Sequence, residues 1–229
     1  MLGDNASSET RVFDDRQDAG RQLAAKLMPY RDQDPIVLAL PRGGVVVGFE
    51  IAEALRAPLD VLVARKLGAP GQPELGIGAI ATGGVIVLDA LAVRYLGISQ
   101  PELDRMTAAE TREMERRLQL YRGDRPAPAV EDKTAILVDD GLATGVTARA
   151  ALRSLRQLHP RRIVLAVPVC APQTAEAIRP EVEDLVCLLQ PEQFRAVGLW
   201  YRDFDQVPDS EVIALLQRAN QDAGIGVQG

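Results

Sequence analysis

The stretch AILVDDGLATGVT, residues 135–147, limits what this chain can fold into more than any other. Its first four residues have the length and composition of a fully buried parallel strand. They run into two adjacent aspartates and then a short loop rich in glycine and threonine. Helical spacing follows over residues 146–158, with Ala150, Leu155 and Leu158 on one side. The motif therefore falls between a strand's carboxyl end and a helix start. Open α/β sheets bind ligands there, and the helix start offers unpaired N–H groups and a positive dipole end to an anion.

The remaining chain repeats the pattern. Residues 15–28 read as a helix with Ala19, Leu23, Ala24 and Leu27 on one face. IVLAL, 36–40, is a short buried strand that meets Pro41, Arg42, Gly43 and Gly44 before a helical run over 45–55. A further strand over 59–64 ends in RKLGAPGQP, whose glycines and prolines predict a long mobile loop. TGGVIVLD reads as another strand. Residues 101–121 form a charged helix whose apolar stripe is Leu103, Met106, Met114, Leu118 and Tyr121, with Glu113 four residues before Arg117. Its charges suit a solvated face, or an accessory helix covering a site or a partner subunit. Residues 123–132 link back to the core; strands follow at 162–169 and 184–189, with a helix at 172–178 between them and a last helix at 209–219. Strands alternating with helices imply a parallel sheet.

Composition narrows the chemistry. With 229 residues and 47% hydrophobic content, one sizeable core is expected. A net charge of −6 argues against nucleic acid as a partner but leaves room for a local phosphate pocket. No apolar run reaches membrane-spanning length, and the first ten residues lack the regions of a signal peptide, so a cytoplasmic protein is expected. The single histidine, His159, closes a helix before Pro160, which leaves no material for a Ser-His-Asp triad or a His-rich metal site. Cys170 and Cys187 lie in apolar runs and read as buried thiols. Residues 76–81 satisfy G-x-G-x-x-A, but they follow a loop and lead into a strand, the wrong context for a dinucleotide fingerprint. Four of the nine aromatics, Phe194, Trp200, Tyr201 and Phe204, cluster near the C-terminus. Such a cluster suits a flap that stacks on a planar ligand, and equally a small satellite core.

Asp139 and Asp140 are acceptor-only when ionised, suited to a sugar diol or a share in a divalent-cation site. Ala143, Thr144, Gly145, Val146 and Thr147 can turn successive N–H groups toward one point, a concavity for a monophosphate. GLATGVT lacks the lysine and glycine spacing of a Walker A loop, and no nucleophile stands at the spacing of a sugar-phosphate hydrolase. A site gripping a diol and a terminal phosphate is suited to ribose 5-phosphate.

These residues resemble the phosphoribosyl-pyrophosphate signature of the type I phosphoribosyltransferases. PRGGVVVGFEIAEAL resembles the family's pyrophosphate loop and following helix, and RKLGAP the start of its flexible catalytic loop. The three occur in the family's order. The resemblance implies a parallel sheet flanked by helices over residues 11–190, after a disordered tail at 1–10. It places a flexible loop at 65–80, an inserted helix at 101–122, and a hood with a C-terminal helix at 191–220. It further implies that Asp139 and Asp140 hold the ribose hydroxyls and, through them or water, Mg2+. Residues 143–147 would wrap the 5-phosphate. Arg42, Gly43 and Gly44 would bind pyrophosphate, with Arg65 and Lys66 supplying mobile charge. PEQFRAVGLWY resembles a purine hood, making Phe194 and Trp200 the candidates to stack on a base. The donor would be phosphoribosyl pyrophosphate, the acceptor a nucleobase-like heterocycle, and a homodimer is suggested. Hypoxanthine-type enzymes carry an acidic residue where this chain has Ala143, so the acceptor stays open, as does a non-catalytic module that senses the same ligand.

Overall fold

The computed structural model of this protein describes residues 12–222, so the expected tail at 1–10 and the glycine-bearing C-terminal end lie outside the described residues. In chain order the elements are α1 (Arg16–Leu27), β1 (Pro35–Ala39), α2 (Gly43–Leu55), β2 (Leu59–Val61), β3 (Ala64–Ala69), β4 (Gln72–Ala81) and β5 (Val85–Leu88). There follow α3 (Ala90–Tyr95), α4 (Gln100–Arg122), β6 (Thr134–Val138), α5 (Val146–Arg156), β7 (Arg162–Val169), α6 (Pro172–Ile178), β8 (Asp184–Leu189) and α7 (Asp209–Asp222).

Five strands form a parallel sheet in the order β2-β1-β6-β7-β8. Its central strands are apolar throughout because both faces are covered. Along β1, Val37 and Ala39 join a core with Leu23 and Leu27 of α1, Val47 and Ile51 of α2 and Leu216 of α7. Ile36 and Leu38 point the other way, into a core with Ala151 and Leu155 of α5 and Ile178 of α6. Leu158, expected on the buried side of α5, is instead 46% exposed, because the helix ends at Arg156 and His159 takes a left-handed φ of 51° just beyond it. Of the two thiols expected in the core, Cys170 is buried and Cys187 is half-buried, the latter because β8 is an edge of the sheet.

The chain leaves β1 toward β2 on one side, while β6 leads to β7 on the other. The order of strands therefore reverses between β1 and β6, and the carboxyl ends flanking such a reversal are where α/β sheets place ligands. Ala39 and Val138, the last residues of these strands, are register partners. The segments that follow them, PRGG and DDGLATG, start side by side.

The expected loop at 65–80 is a correction. Residues 64–81 are two antiparallel strands, β3 and β4, joined at Pro70-Gly71, and β5 completes a three-stranded sheet in the order β3-β4-β5. Glycine and proline punctuate its turn, while its stability comes from packing on both faces. Ala79, Ala81 and Val85 meet Ala148, Ala151 and Leu152 of α5. Leu67, Ile77 and Ile80 join the core that holds Leu103 and Met114 of α4. Residues 76–81, which match the glycine pattern of a dinucleotide fingerprint, lie inside β4, consistent with rejecting that motif.

The α4 helix is tied down at its C-terminal end. The Arg122 Nε donates to Asp60 Oδ2 at 3.1 Å, with side chains only 11% and 9% exposed, and its Nη2 donates to Val61 O at 3.1 Å. One residue earlier, the Tyr121 hydroxyl donates to Asp209 of α7. The expected pair of Glu113 with Arg117 is present at 2.8 Å and shared with Arg116. Among the described residues no helix is long and apolar enough to cross a membrane.

Candidate active site

Two loops meet edge to edge at the sheet's switch point. The PRGG loop enters α2 directly, with a cis peptide between Pro41 and Arg42 and Gly43 as the first helical residue. Its glycines are required by proximity. A methyl on Gly44 would stand 2.9 Å from Val138 O and 3.0 Å from Asp139 Cα. One on Gly43 would overlap Asp140 Oδ2 and lie 2.7 Å from Arg16 Nε. Backbone is thus held against the aspartate pair more closely than any side chain permits.

Asp139 Oδ1 accepts the N–H of Asp140 at 2.9 Å. Burial raises the Asp139 carboxyl well above the usual range, and the neighbouring Asp140 charge raises it further. Asp140 is raised by burial too, and the hydrogen bond and charge of Arg16 oppose the shift. This arginine is the site residue that the sequence reading missed. Its Nε donates to Asp140 Oδ2 at 2.8 Å, its Nη1 to Asp205 O at 2.9 Å, and its guanidinium lies 3.8 Å from the centre of the Phe204 ring.

Below the aspartates, Gly145 takes a left-handed φ of 69° immediately before α5. Residues 143–147 therefore wind onto a helix N-terminus, as an anion site requires. α6 braces this loop. Thr174 donates from its hydroxyl to Ala143 O, and its Cγ2 would lie 2.6 Å from a methyl on Gly145.

Arg65 and Lys66, expected to act together, are separated. They are adjacent on β3, and a strand sends neighbours to opposite faces. Arg65 forms a half-buried ion pair with Glu110 of α4. Lys66 runs across β4, where its Cε would be 2.5 Å from a methyl on Gly76.

The C-terminal segment crosses the site and is pinned there. The Tyr201 hydroxyl, whose pKa is raised by burial and the nearby Asp140 charge, donates to Asp140 O at 2.6 Å. Its ring lies 5.4 Å from Phe13 and 4.9 Å from Phe204, and the Phe13 N–H donates to Trp200 O at 2.9 Å. Val197 reaches to 2.5 Å from where a methyl on Gly141 would sit. The satellite core considered for these aromatics therefore exists, built on Phe13, Ala19 and Tyr201 with Trp200 and Phe204 packed against it. Tyr201 and Phe204 touch the aspartate–arginine cluster. Trp200 packs in the satellite core, its indole N–H buried without a hydrogen-bond partner among the described residues, and Phe194 is half-buried outside that core.

Among the described residues no group of three His, Cys, Asp or Glu side chains forms a metal cage. Asp139 and Asp140 bring adjacent carboxylate oxygens to the site, hard donors of the type that magnesium accepts.

Residues 11–201 match the family model described as the phosphoribosyl transferase domain. A Mycobacterium tuberculosis H37Rv protein, Rv0571c, provisionally named a phosphoribosyl transferase, is 44% identical over 212 residues. That match covers 93% of this chain and 48% of the relative, so the chain spans about half the length of the curated relatives it matches. A Mycobacterium ulcerans protein named bifunctional protein PyrR is 33% identical over 138 residues, 54% of this chain and 68% of its own. Among solved structures, TT1426 of Thermus thermophilus is 43% identical, with a TM-score of 0.77 and coverage of 90% of this chain and 98% of that one. Fold, paired loops and family model agree, and the chain belongs to the phosphoribosyl transferase domain family.

Proposed function

We propose that this protein is a magnesium-dependent phosphoribosyltransferase. It moves ribose 5-phosphate from phosphoribosyl pyrophosphate to a ring nitrogen of a nucleobase-like heterocycle and releases pyrophosphate. The observation that carries this reading is the close approach of Gly43 and Gly44 to Asp140 and Asp139, which supports it because the transfer needs an anion loop beside a diol site.

Transfer breaks the bond from C1 of ribose to pyrophosphate and forms one from C1 to the acceptor nitrogen, whose proton passes to the departing pyrophosphate or to water. The 5-phosphate sits on the N–H groups of residues 143–147 at the start of α5. Asp139 and Asp140 accept from the ribose hydroxyls and set a negative field beside the cation-like ring, the type of preorganised electrostatics that dominates many enzyme rates. Arg42 and the backbone at Gly43 and Gly44 receive the pyrophosphate. Lys66 adds charge from the hairpin. Magnesium, when bound, neutralises phosphate oxygens and so improves the leaving group.

The decisive experiment incubates the protein with phosphoribosyl pyrophosphate, magnesium and a panel of nucleobases and heterocyclic amines, reading pyrophosphate release. Neither binding nor consumption of the donor with any acceptor would refute the proposal. A second reading is a module that senses the same ligand. It is favoured by Ala143, which offers no acid or base and whose carbonyl is occupied by Thr174. Tight binding without pyrophosphate release would support it, and turnover lost on Asp140→Asn would exclude it.

A further inference from the structure

Arg16 stands where the transferase reading, on which this inference rests, has an electrostatic difficulty. The donor's pyrophosphate carries several negative charges and is assigned to the backbone at Gly43. That backbone touches the Asp140 carboxylate so closely that a single methyl would overlap it. Two carboxylates and a polyphosphate gathered at one point repel one another strongly in a half-buried site. A fixed cation is needed between them.

Besides Arg42, which the loop itself carries, the guanidinium of Arg16 is held at that junction. The Arg16 side chain is 11% exposed, and its Nε lies 2.7 Å from where a methyl on Gly43 would be. Three contacts fix its plane: Asp140 Oδ2 on Nε, Asp205 O on Nη1 and the Phe204 ring against its face. None of them uses Nη2, which donates to no protein atom among the described residues. A guanidinium presents five N–H donors in a rigid fork, so bonding Asp140 leaves donors for a second anion.

We propose that Arg16 is a pyrophosphate-binding residue, bridging Asp140 and the donor's pyrophosphate at Gly43. This gives α1 and the hood a function in the site beyond packing. The helix supplies the cation, and Asp205 and Phe204 hold it in the orientation that shields the leaving group from the aspartates.

The test compares the wild type with Arg16→Gln and Arg16→Lys by calorimetric titration of three probes: phosphoribosyl pyrophosphate with magnesium, inorganic pyrophosphate with magnesium, and ribose 5-phosphate. Arg16→Gln should weaken the two pyrophosphate-bearing probes by ~10–100-fold, the range of one charge-assisted hydrogen bond, and leave ribose 5-phosphate within ~3-fold. Ribose 5-phosphate binding also reports that the variant is folded. Arg16→Lys, which keeps the charge and loses the fork, should recover part of the loss. Equal weakening of all three probes would assign Arg16 to the scaffold and overturn the inference. So would unchanged or tighter binding of phosphoribosyl pyrophosphate by Arg16→Gln, which would make Arg16 a competitor for Asp140. A wild type that binds none of the probes refutes the transferase reading, and this inference with it.

Discussion

Replacing Arg122 by methionine removes one partner of a charge pair whose side chains are 11% and 9% exposed. Among the described residues Asp60 would then keep only the Val61 N–H at 2.7 Å, and Val61 O would lose its donor from Arg122. Breaking a buried pair on one side costs ~3–5 kcal/mol, because the remaining charge stays desolvated. The lower end applies here, since Asp60 retains a hydrogen bond. For a domain of this size ~3 kcal/mol corresponds to a fall in melting temperature of ~6–12 °C. Far-UV circular dichroism gives the global transition, and Trp200, the chain's one tryptophan, reports the hood by fluorescence; the two should coincide if unfolding is two-state. Adding Asp60→Asn to Arg122→Met should recover part of the loss, with a coupling of ~1–3 kcal/mol across the double-mutant cycle. A single-variant shift below ~2 °C, or strict additivity in the cycle, would show that the pair is not what anchors α4.

Three further outcomes follow from the site. Gly43→Ala forces Asp140 Oδ2 away from its 2.8 Å bond to Arg16; donor affinity should fall ~10-fold or more, and titration showing wild-type affinity would refute the close approach. Asp139 titrates above its unfolded value, so its contribution to stability declines as pH rises from ~4 through the folded pKa. Asp139→Asn, which can still accept the Asp140 N–H, should therefore be more stable than wild type at neutral pH in urea titrations, the gap closing toward pH ~4; an equal or lower midpoint at neutral pH would count against it. Glu110→Gln releases Arg65 from α4. It should cost under ~1 kcal/mol of stability, as half-exposed pairs do, and lower the KM for phosphoribosyl pyrophosphate if Arg65 serves the site; an unchanged KM would make the pair a purely structural tie.

The parallel sheet was legible in the sequence because strands covered on both faces read as unbroken apolar runs, as in IVLAL and AILV. The glycine loops were legible because their chemistry is local. What escaped was set by tertiary packing. Residues 65–80 carry the glycine and proline of a loop, yet two helices clamp them into a hairpin, and nothing local encodes the clamp. The clamp also divides Arg65 from Lys66, a consequence of strand alternation that appears once the segment is known to be a strand. Arg16 was invisible for a different reason: it lies 124 residues from Asp140, and one arginine on an amphipathic helix looks like any solvated residue. In the hood the clustering of aromatics was informative, but which of them face the aspartates depends on a backbone path that composition does not specify.

The three-stranded sheet also bears on how the protein behaves at high concentration. A sheet that is not closed has two edges, and β5 forms one of them, carrying Ile86 and Leu88 at 44% and 38% exposure. An apolar strand with unpaired backbone groups is a template for intermolecular pairing, and the shortest edges are the safest. At four residues, β5 is shielded chiefly by its brevity, with Gly83 and Gly84 turning the chain at one end and Asp89 capping α3 at the other. Substitutions that extend β5 through Gly84 or Asp89 are thus a route to self-association that leaves the ligand site untouched.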